Sequence, residues 1–165
     1  MKNRIINTGR LLIMITILIG ISTCDVEKKL IQQEKDAIAE FLRINNITVG
    51  PTASGLYYIE TQEGTGVQPV PGDTAALYFT VYLINGMKIG ELITGDPFKF
   101  RLGTDAVIPG FEEGIGMMKT GGKAQLLIPS SLAYGSEGDG FVIPPYSPLV
   151  YYVELKQIIP GPLEK

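Results

Sequence analysis

The sequence predicts an α+β domain with a mainly antiparallel sheet of about five strands around one short helix, preceded by an N-terminal helix. Two observations predict this class. Short apolar segments with strand-like alternation are separated by turns rich in glycine, proline and asparagine, and one short segment between them has helical spacing. The chain of 165 residues is 45% hydrophobic and 19% charged, with a net charge of −3, as expected for a folded domain without a nucleic-acid partner.

The first 23 residues are predicted to be a bacterial lipoprotein signal peptide. A positively charged start is followed by the apolar run "LLIMITILIGI", Leu11 to Ile21, and then by small residues before Cys24. We expect cleavage before Cys24, lipid on that cysteine, and a membrane-anchored protein of the bacterial cell envelope that faces the periplasm or the cell surface. The alternative is an uncleaved anchor over residues 5–21, which Asn7 and Arg10 interrupt.

Residues 24–50 are predicted to form a lipidated tether and an amphipathic helix. Apolar side chains recur mostly at helical spacings within a polar sequence. They are Leu30, Ile31, Ile38, Phe41 and Leu42. Gly50 and Pro51 mark the end of the segment. We expect the helix to pack on its own domain or to act as a solvated spacer, and the alternative use is a homodimer or partner-docking interface.

Residues 51–165 carry the strand pattern. The run "TAALYFTVYLI", Thr74 to Ile84, alternates and ends at Asn85-Gly86, the strongest short hairpin signal. One face of this strand carries Leu77, Phe79, Val81 and Leu83. Further strand segments are "LYYIE" at 56–60, "PFKFRLG" at 97–103, "KAQLLIP" at 123–129 and "LVYYVELKQI" at 149–158. Between them, "FEEGIGMM" places Phe111, Ile115 and Met118 on one side of a short helix.

The residue inventory excludes several kinds of chemistry. The chain has no histidine and one cysteine, Cys24, so it has no Ser-His-Asp or Cys-His site, no His-ligated metal and no internal disulfide. The glycine-rich stretch 106–135 also fails as a phosphate loop, because Gly122 stands where the lysine should be and Ala124 follows Lys123. We therefore expect no cofactor and no metal, and we assign these glycines to turns.

A series of motifs nevertheless occurs in a recognisable order. "VYLINGMKIG", "PFKFRLGTDAVIPGFEEGIGMMKTGGKAQLLIPSSLAYG", "VIPP" and "LVYYVEL" resemble the FKBP-type peptidyl-prolyl cis-trans isomerases over about residues 54–158. The resemblance implies a twisted antiparallel sheet that wraps a short helix, with an apolar pocket between them. It also implies an isomerase, and this activity makes or breaks no covalent bond and so needs no nucleophile, metal or cofactor.

The resemblance implies a pocket for the proline ring. Phe111 would form its floor, Phe98, Tyr134, Ile143 and Tyr151 its walls, and Val107 and Ile108 one edge. In the family, the Ile108 position offers its backbone N–H to a substrate carbonyl and the Tyr134 position offers its hydroxyl to another. Taken singly, each aromatic residue is equally compatible with an ordinary core position.

Three rim positions depart from the family pattern, which commonly has Tyr, Phe and Asp there. This chain has Phe79, Ile89 and Gly90 instead. The missing phenol and carboxylate remove two polar groups that would contact a ligand. We therefore expect weak macrolide binding, retained but reduced catalysis, and a broadened preference at the residue before proline.

The function expected from these observations is an isomerase that assists folding of exported proteins by acting on their Xaa-Pro segments. One alternative is a non-catalytic, proline-binding chaperone or scaffold lipoprotein of an envelope complex. Another is a purely structural lipoprotein whose own side chains fill the pocket.

Overall fold

The computed structural model describes the backbone of residues 8–162 and the side chains from residue 24 onward. The predicted signal peptide, residues 1–23, therefore lies outside the part whose side chains are described. Within the described residues, no helix combines the length and apolarity needed to cross a membrane. Cys24 is a free, exposed cysteine in the first helix.

Helix α1, Thr8–Ile44, lies against one face of the sheet with its C-terminal half. Ile38 is buried there against Leu127 and Val150, and Phe41 and Leu42 pack around them. The helix ends where Asn46 adopts a positive φ of 54°, a conformation that asparagine tolerates better than most residues. The helix therefore packs on its own domain, as its apolar spacing predicts.

Six strands form one antiparallel sheet. They are β1 Tyr57–Gln62, β2 Thr74–Leu83, β3 Lys88–Leu92, β4 Phe98–Arg101, β5 Lys123–Ile128 and β6 Leu149–Ile159. Their order is β1-β5-β6-β2-β3, and β4 pairs with β2 beyond the end of β3. The sheet has one more strand than the pattern predicts: β3, the returning arm of the hairpin signalled by Asn85-Gly86.

The alternation along β2 separates two apolar clusters on opposite faces of the sheet. Leu77, Val81 and Leu83 belong to the larger cluster, whereas Tyr82 belongs to the smaller cluster beneath α1. The predicted face of β2 is thus the face that lines the main core.

Helix α2, Pro109–Met117, packs on the main core and begins with a proline at its first turn, where a missing N–H costs nothing. Two of its glycines allow a close approach to β5. A Cβ on Gly110 would lie 2.5 Å from Ile128 Cγ2, and one on Gly114 would lie 2.5 Å from Leu126 Cδ1. Here glycine permits close helix–sheet packing, a role distinct from the turns that the sequence predicts for this stretch.

Candidate active site

Four aromatic rings from four different elements meet on the α2 side of the sheet. The Phe111 and Tyr151 ring centroids are 4.7 Å apart, and Phe79 lies 6.0 Å from Phe111 and 5.8 Å from Tyr151. Phe98 adds an edge-on contact to Phe79 at 5.8 Å. These separations are typical of interacting aromatic pairs. We call Phe79, Phe98, Phe111 and Tyr151 the ring cluster.

Strand register and helix phase bring these rings together. Tyr151 of β6 is paired with Val81 of β2. Phe98 of β4 is paired with Leu77, which lies four residues before Val81 in β2. Phe111 lies in the first turn of α2, where its N–H donates to the carbonyl of Ile108 at 3.0 Å. Phe111 is only 3% exposed, whereas the other three rings are half-buried. Phe111 is therefore the buried ring at the base of the cluster, and the other three rings are partly open to solvent.

Val107 and Ile108 lie half-buried against the same core, immediately before α2. The Ile108 carbonyl accepts the N–H groups of Phe111 and Glu112, which fixes the backbone at the start of the helix. Within the described residues, no acceptor is found for the N–H of Ile108. This is the donor that the resemblance assigns to a substrate carbonyl.

The segment 130–146, which we call the rim loop, brings Tyr134 and Ile143 to the cluster. Ile143 is 7% exposed and belongs to the main core, while Tyr134 is 38% exposed. Asp139 braces the loop: its Oδ1 accepts the N–H groups of Phe141, Val142 and Ile143 at 2.7–2.9 Å. These bonds, that from Ile143 first, lower the pKa of the Asp139 carboxyl. The role of Asp139 is to shape the loop.

Burial raises the pKa of the Tyr151 hydroxyl, and the nearby Tyr134 raises it further. Both tyrosines thus approach the same part of the site. An uncharged hydroxyl suits this apolar wall, and the raised pKa keeps Tyr151 protonated even at alkaline pH, where a free tyrosine ionises.

The three rim departures lie on this same side of the sheet. Gly90 is paired with Val81, and a Cβ on Gly90 would lie 3.2 Å from Val81 Cγ1, so the missing side chain would point towards the core face. Ile89 is the extra residue of a β-bulge between two successive pairs and packs against the main core. Together with Phe79, they make this rim apolar.

The largest cavity described, about 660 Å³, lies between α1 and the rim loop and not at the ring cluster. The ring cluster consists of one buried ring, Phe111, and three half-buried rings. Within the described residues, no group of acidic, cysteine or histidine side chains could hold a metal ion. The arrangement therefore provides apolar contact and two hydrogen-bond donors, which suits a reaction without covalent steps.

Comparison with known proteins agrees with this geometry. Residues 66–156 match the family described as FKBP-type peptidyl-prolyl cis-trans isomerase. The chain belongs to this family.

Two bacterial relatives illustrate the extent of the similarity. The FK506-binding protein of Neisseria meningitidis serogroup B is 42% identical over 105 residues, which are 63% of this chain and 96% of that protein. FkpA of Escherichia coli K12 is 42% identical over 115 residues, which are 69% of this chain and 42% of that protein.

Solved structures extend the comparison to the fold. A peptidyl-prolyl cis-trans isomerase from Pseudomonas syringae pv. tomato superposes with a TM-score of 0.69 at 30% identity, over 80% of this chain and 95% of that chain. FkpA from Escherichia coli superposes with a TM-score of 0.67 at 31% identity, over 97% of this chain and 76% of that chain. The FKBP fold predicted from the motifs is confirmed.

In this FKBP-type domain, two adjacent carboxylates of α2 hold neighbouring segments. Glu113 accepts hydrogen bonds from the hydroxyls of Thr52 and Ser54, at 2.9 and 2.6 Å. Glu112 accepts the backbone N–H of Gly103. The two partners of Glu113 are 61 and 59 residues away in the sequence, so no local sequence pattern signals these contacts.

Proposed function

We propose that the ring cluster is the site at which this FKBP-type isomerase rotates Xaa-Pro peptide bonds. The observation that carries the proposal is the assembly of Phe79, Phe98, Phe111 and Tyr151 from four separate elements, with a buried floor and half-buried walls. The family membership supports the same assignment.

The chemistry follows from amide resonance. Rotation about a peptide bond costs about 18–20 kcal/mol because the planar, charge-separated form must be given up. The twisted amide has less charge separation than the planar one, so an apolar surface binds it at a smaller desolvation cost. Each 1.4 kcal/mol or so of preference for the twisted form raises the rate about tenfold.

Each named residue has a role in this proposal. Phe111 supports the proline ring from below, and Tyr151, Phe98 and Ile143 surround it. The N–H of Ile108 and the hydroxyl of Tyr134 bind the carbonyl groups that flank the rotating bond. Val107 completes the edge, and the apolar rim of Phe79, Ile89 and Gly90 weakens macrolide binding and broadens the preference at the residue before proline.

We also propose that the enzyme acts on exported proteins at the bacterial envelope, anchored by lipid on Cys24. The charged and apolar order of residues 1–23 supports this location, and Cys24 is exposed and unpaired. Metabolic labelling with a radioactive fatty acid should mark the wild-type chain and not Cys24→Ala. Label retained on Cys24→Ala would exclude lipidation at this residue.

A homodimer through α1 is a separate proposal. The residues of α1 that pack on the sheet, Ile38, Phe41 and Leu42, lie near its C-terminal end, and Val26 is 56% exposed, so the first turns after Cys24 are left for a second copy. Sedimentation equilibrium should give twice the monomer mass. A monomer at all concentrations tested would overturn this proposal and leave the isomerase assignment intact.

The activity is tested by NMR exchange spectroscopy on a short Xaa-Pro peptide. We expect the added protein to accelerate cis–trans exchange, which takes tens to hundreds of seconds when uncatalysed. The rim departures at Phe79, Ile89 and Gly90 favour one other function, a non-catalytic, proline-binding chaperone or scaffold. Retained peptide binding with unchanged exchange would establish that function and exclude the enzyme.

A further inference from the structure

We infer that Glu34 of α1 is a positioning residue that sets the place of the Tyr134 hydroxyl at the active site; this inference rests on the proposed function of the ring cluster. Glu34 lies on the opposite side of the rim loop from the rings. The residue that it contacts is Ser130, 96 positions later in the sequence. The carboxylate of Glu34 binds Ser130 with both oxygens.

The contact between Glu34 and Ser130 is bidentate. Oε1 of Glu34 accepts the backbone N–H of Ser130 at 2.6 Å, and Oε2 accepts its hydroxyl at 2.7 Å. Ser130 is 4% exposed, so water competes little for these bonds. Hydrogen bonds to an ionised carboxylate are roughly twice as strong as neutral ones. Ser130 is therefore fixed in both position and rotamer from α1.

Ser130 in turn holds both neighbours of Tyr134. Its carbonyl accepts the N–H of Ala133 at 2.9 Å and the N–H of Gly135 at 2.8 Å. Tyr134 lies between these two donors along the chain, so its Cα cannot move without breaking one of them. Glu34 is thus connected through Ser130, by four hydrogen bonds in all, to the two residues on either side of Tyr134.

A second hydrogen bond from α1 holds the C-terminal end of the rim loop, at Tyr146. Gly135 accepts the N–H of Tyr146 at 2.9 Å, and the Tyr146 hydroxyl donates to Glu27 of α1 at 3.0 Å. The cavity of about 660 Å³ separates α1 from much of this segment. The carboxylates of Glu34 and Glu27 reach from α1 to Ser130 and Tyr146 beside this space.

The first experiment measures kcat/KM on a short Xaa-Pro peptide, with α1 intact in every variant. Glu34→Ala should lower kcat/KM about three- to tenfold, because small displacements of a binding group are costly in rate. Glu34→Gln should remain within about twofold of wild type, since its amide oxygen accepts the Ser130 N–H and its amide donates to the hydroxyl. Glu40→Ala is the matched control, because this carboxylate of the same helix binds only Arg43.

The role of the hydroxyl is tested in the Tyr134→Phe background. If Glu34 acts by placing that hydroxyl, Glu34→Ala should cause less than about a 1.5-fold further loss there, a non-additivity expected of coupled residues. An equal loss in both backgrounds would mean that Glu34 acts through general stability and would overturn the inference.

Hydrogen exchange of the Ala133 and Gly135 amides gives a readout that does not depend on catalysis. Both should exchange at least about fivefold faster in Glu34→Ala and at the wild-type rate in Glu40→Ala. Unchanged exchange would overturn the inference even if the enzyme is active. A wild-type protein without isomerase activity would instead refute the proposed function, whatever the amides show.

Discussion

Phe111 and Phe100 are neighbouring buried rings, 5.9 Å apart and 3% and 5% exposed, but only Phe111 contacts Tyr151. We expect Phe111→Leu to lower kcat/KM at least tenfold, because the floor of the site loses its aromatic face; tenfold is about 1.4 kcal/mol. Phe100→Leu is the matched control. It should lower kcat/KM less than threefold or so.

Both leucine variants should lose a similar free energy of unfolding, about 1–2 kcal/mol, since each loses buried ring contacts. Urea unfolding measures this loss, and peptide exchange measures the activity. Equal activity loss in the two variants would show that the site is elsewhere or that stability alone decides the outcome.

The lowered pKa of Asp139 predicts how the free energy of unfolding changes at acidic pH. The three backbone N–H bonds hold its folded pKa below the unfolded value of about 3.9. The unfolded state then binds more protons, so the carboxylate contributes its full stability above the unfolded pKa and loses it as pH falls through the folded pKa. The free energy of unfolding of Asp139→Asn should therefore lie below that of wild type at pH 7, and the difference should shrink as pH falls below about 4.

Asp73 provides the comparison for this prediction. Backbone N–H groups of Gly161 and Val70 lower its pKa in the same way, but none of these residues belongs to the ring cluster or the rim loop. Asp73→Asn should show the same acid behaviour and keep the wild-type KM, whereas Asp139→Asn should raise KM a few-fold. A wild-type KM in Asp139→Asn would show that this carboxylate does not help to shape the substrate-binding site.

The residue-level predictions differ in how local their signals are. Val107, Ile108 and Phe111 follow one another in a short motif around the start of α2, and the sequence places them together. Asp139 accepts its three backbone hydrogen bonds because of the shape of the loop, and no periodic pattern in the sequence predicts that shape. The contact of Glu34 with Ser130 joins residues 96 positions apart, and a polar residue on a polar helix face gives no sign of it.

Within α2, alanine substitutions at Gly114 and Gly116 should change the free energy of unfolding in opposite directions. Gly114 faces Leu126, and a Cβ there would meet two of its methyl carbons at 2.5 and 2.7 Å. Gly116 has nothing within 4 Å of that position. We expect Gly114→Ala to cost about 1–2 kcal/mol through overpacking and Gly116→Ala to gain about 0.5 kcal/mol through helix propensity.

Thermal or urea unfolding of the two variants checks this prediction. A neutral or stabilising effect of Gly114→Ala would mean that the helix can move away from β5 at little cost. In that case the position of Phe111, on the same helix, would be less constrained than the ring distances indicate.

At the level of elements, long alternating runs were predicted well and short irregular ones were not. β2 and β6 are 10 and 11 residues long and lie where their alternation places them. β3 has five residues, with a glycine and a bulge that break the period of two. Only the Asn85-Gly86 turn signals that a partner strand must follow.

For the whole molecule, the absence of histidine predicts a flat pH profile. No histidine occurs in the chain, and burial together with neighbouring charges raises the pKa of Tyr151 and raises that of Tyr58 to about 12. No group identified at the ring cluster thus titrates near neutrality. We expect kcat/KM to vary less than about twofold between about pH 5.5 and about pH 8.5.

This profile is measured by exchange spectroscopy, because the method needs no protease whose own activity depends on pH. A bell-shaped profile would reveal an ionising group that takes part in the reaction and would contradict a mechanism based on desolvation and shape alone.

β6 pairs with β5 on one side and with β2 on the other, although it is the last strand of the sheet to be synthesised. Five strands therefore leave the ribosome before β6, and β5 and β2 lack their shared partner until residues 149–159 emerge. The sheet therefore cannot close before residues 149–159 have been synthesised.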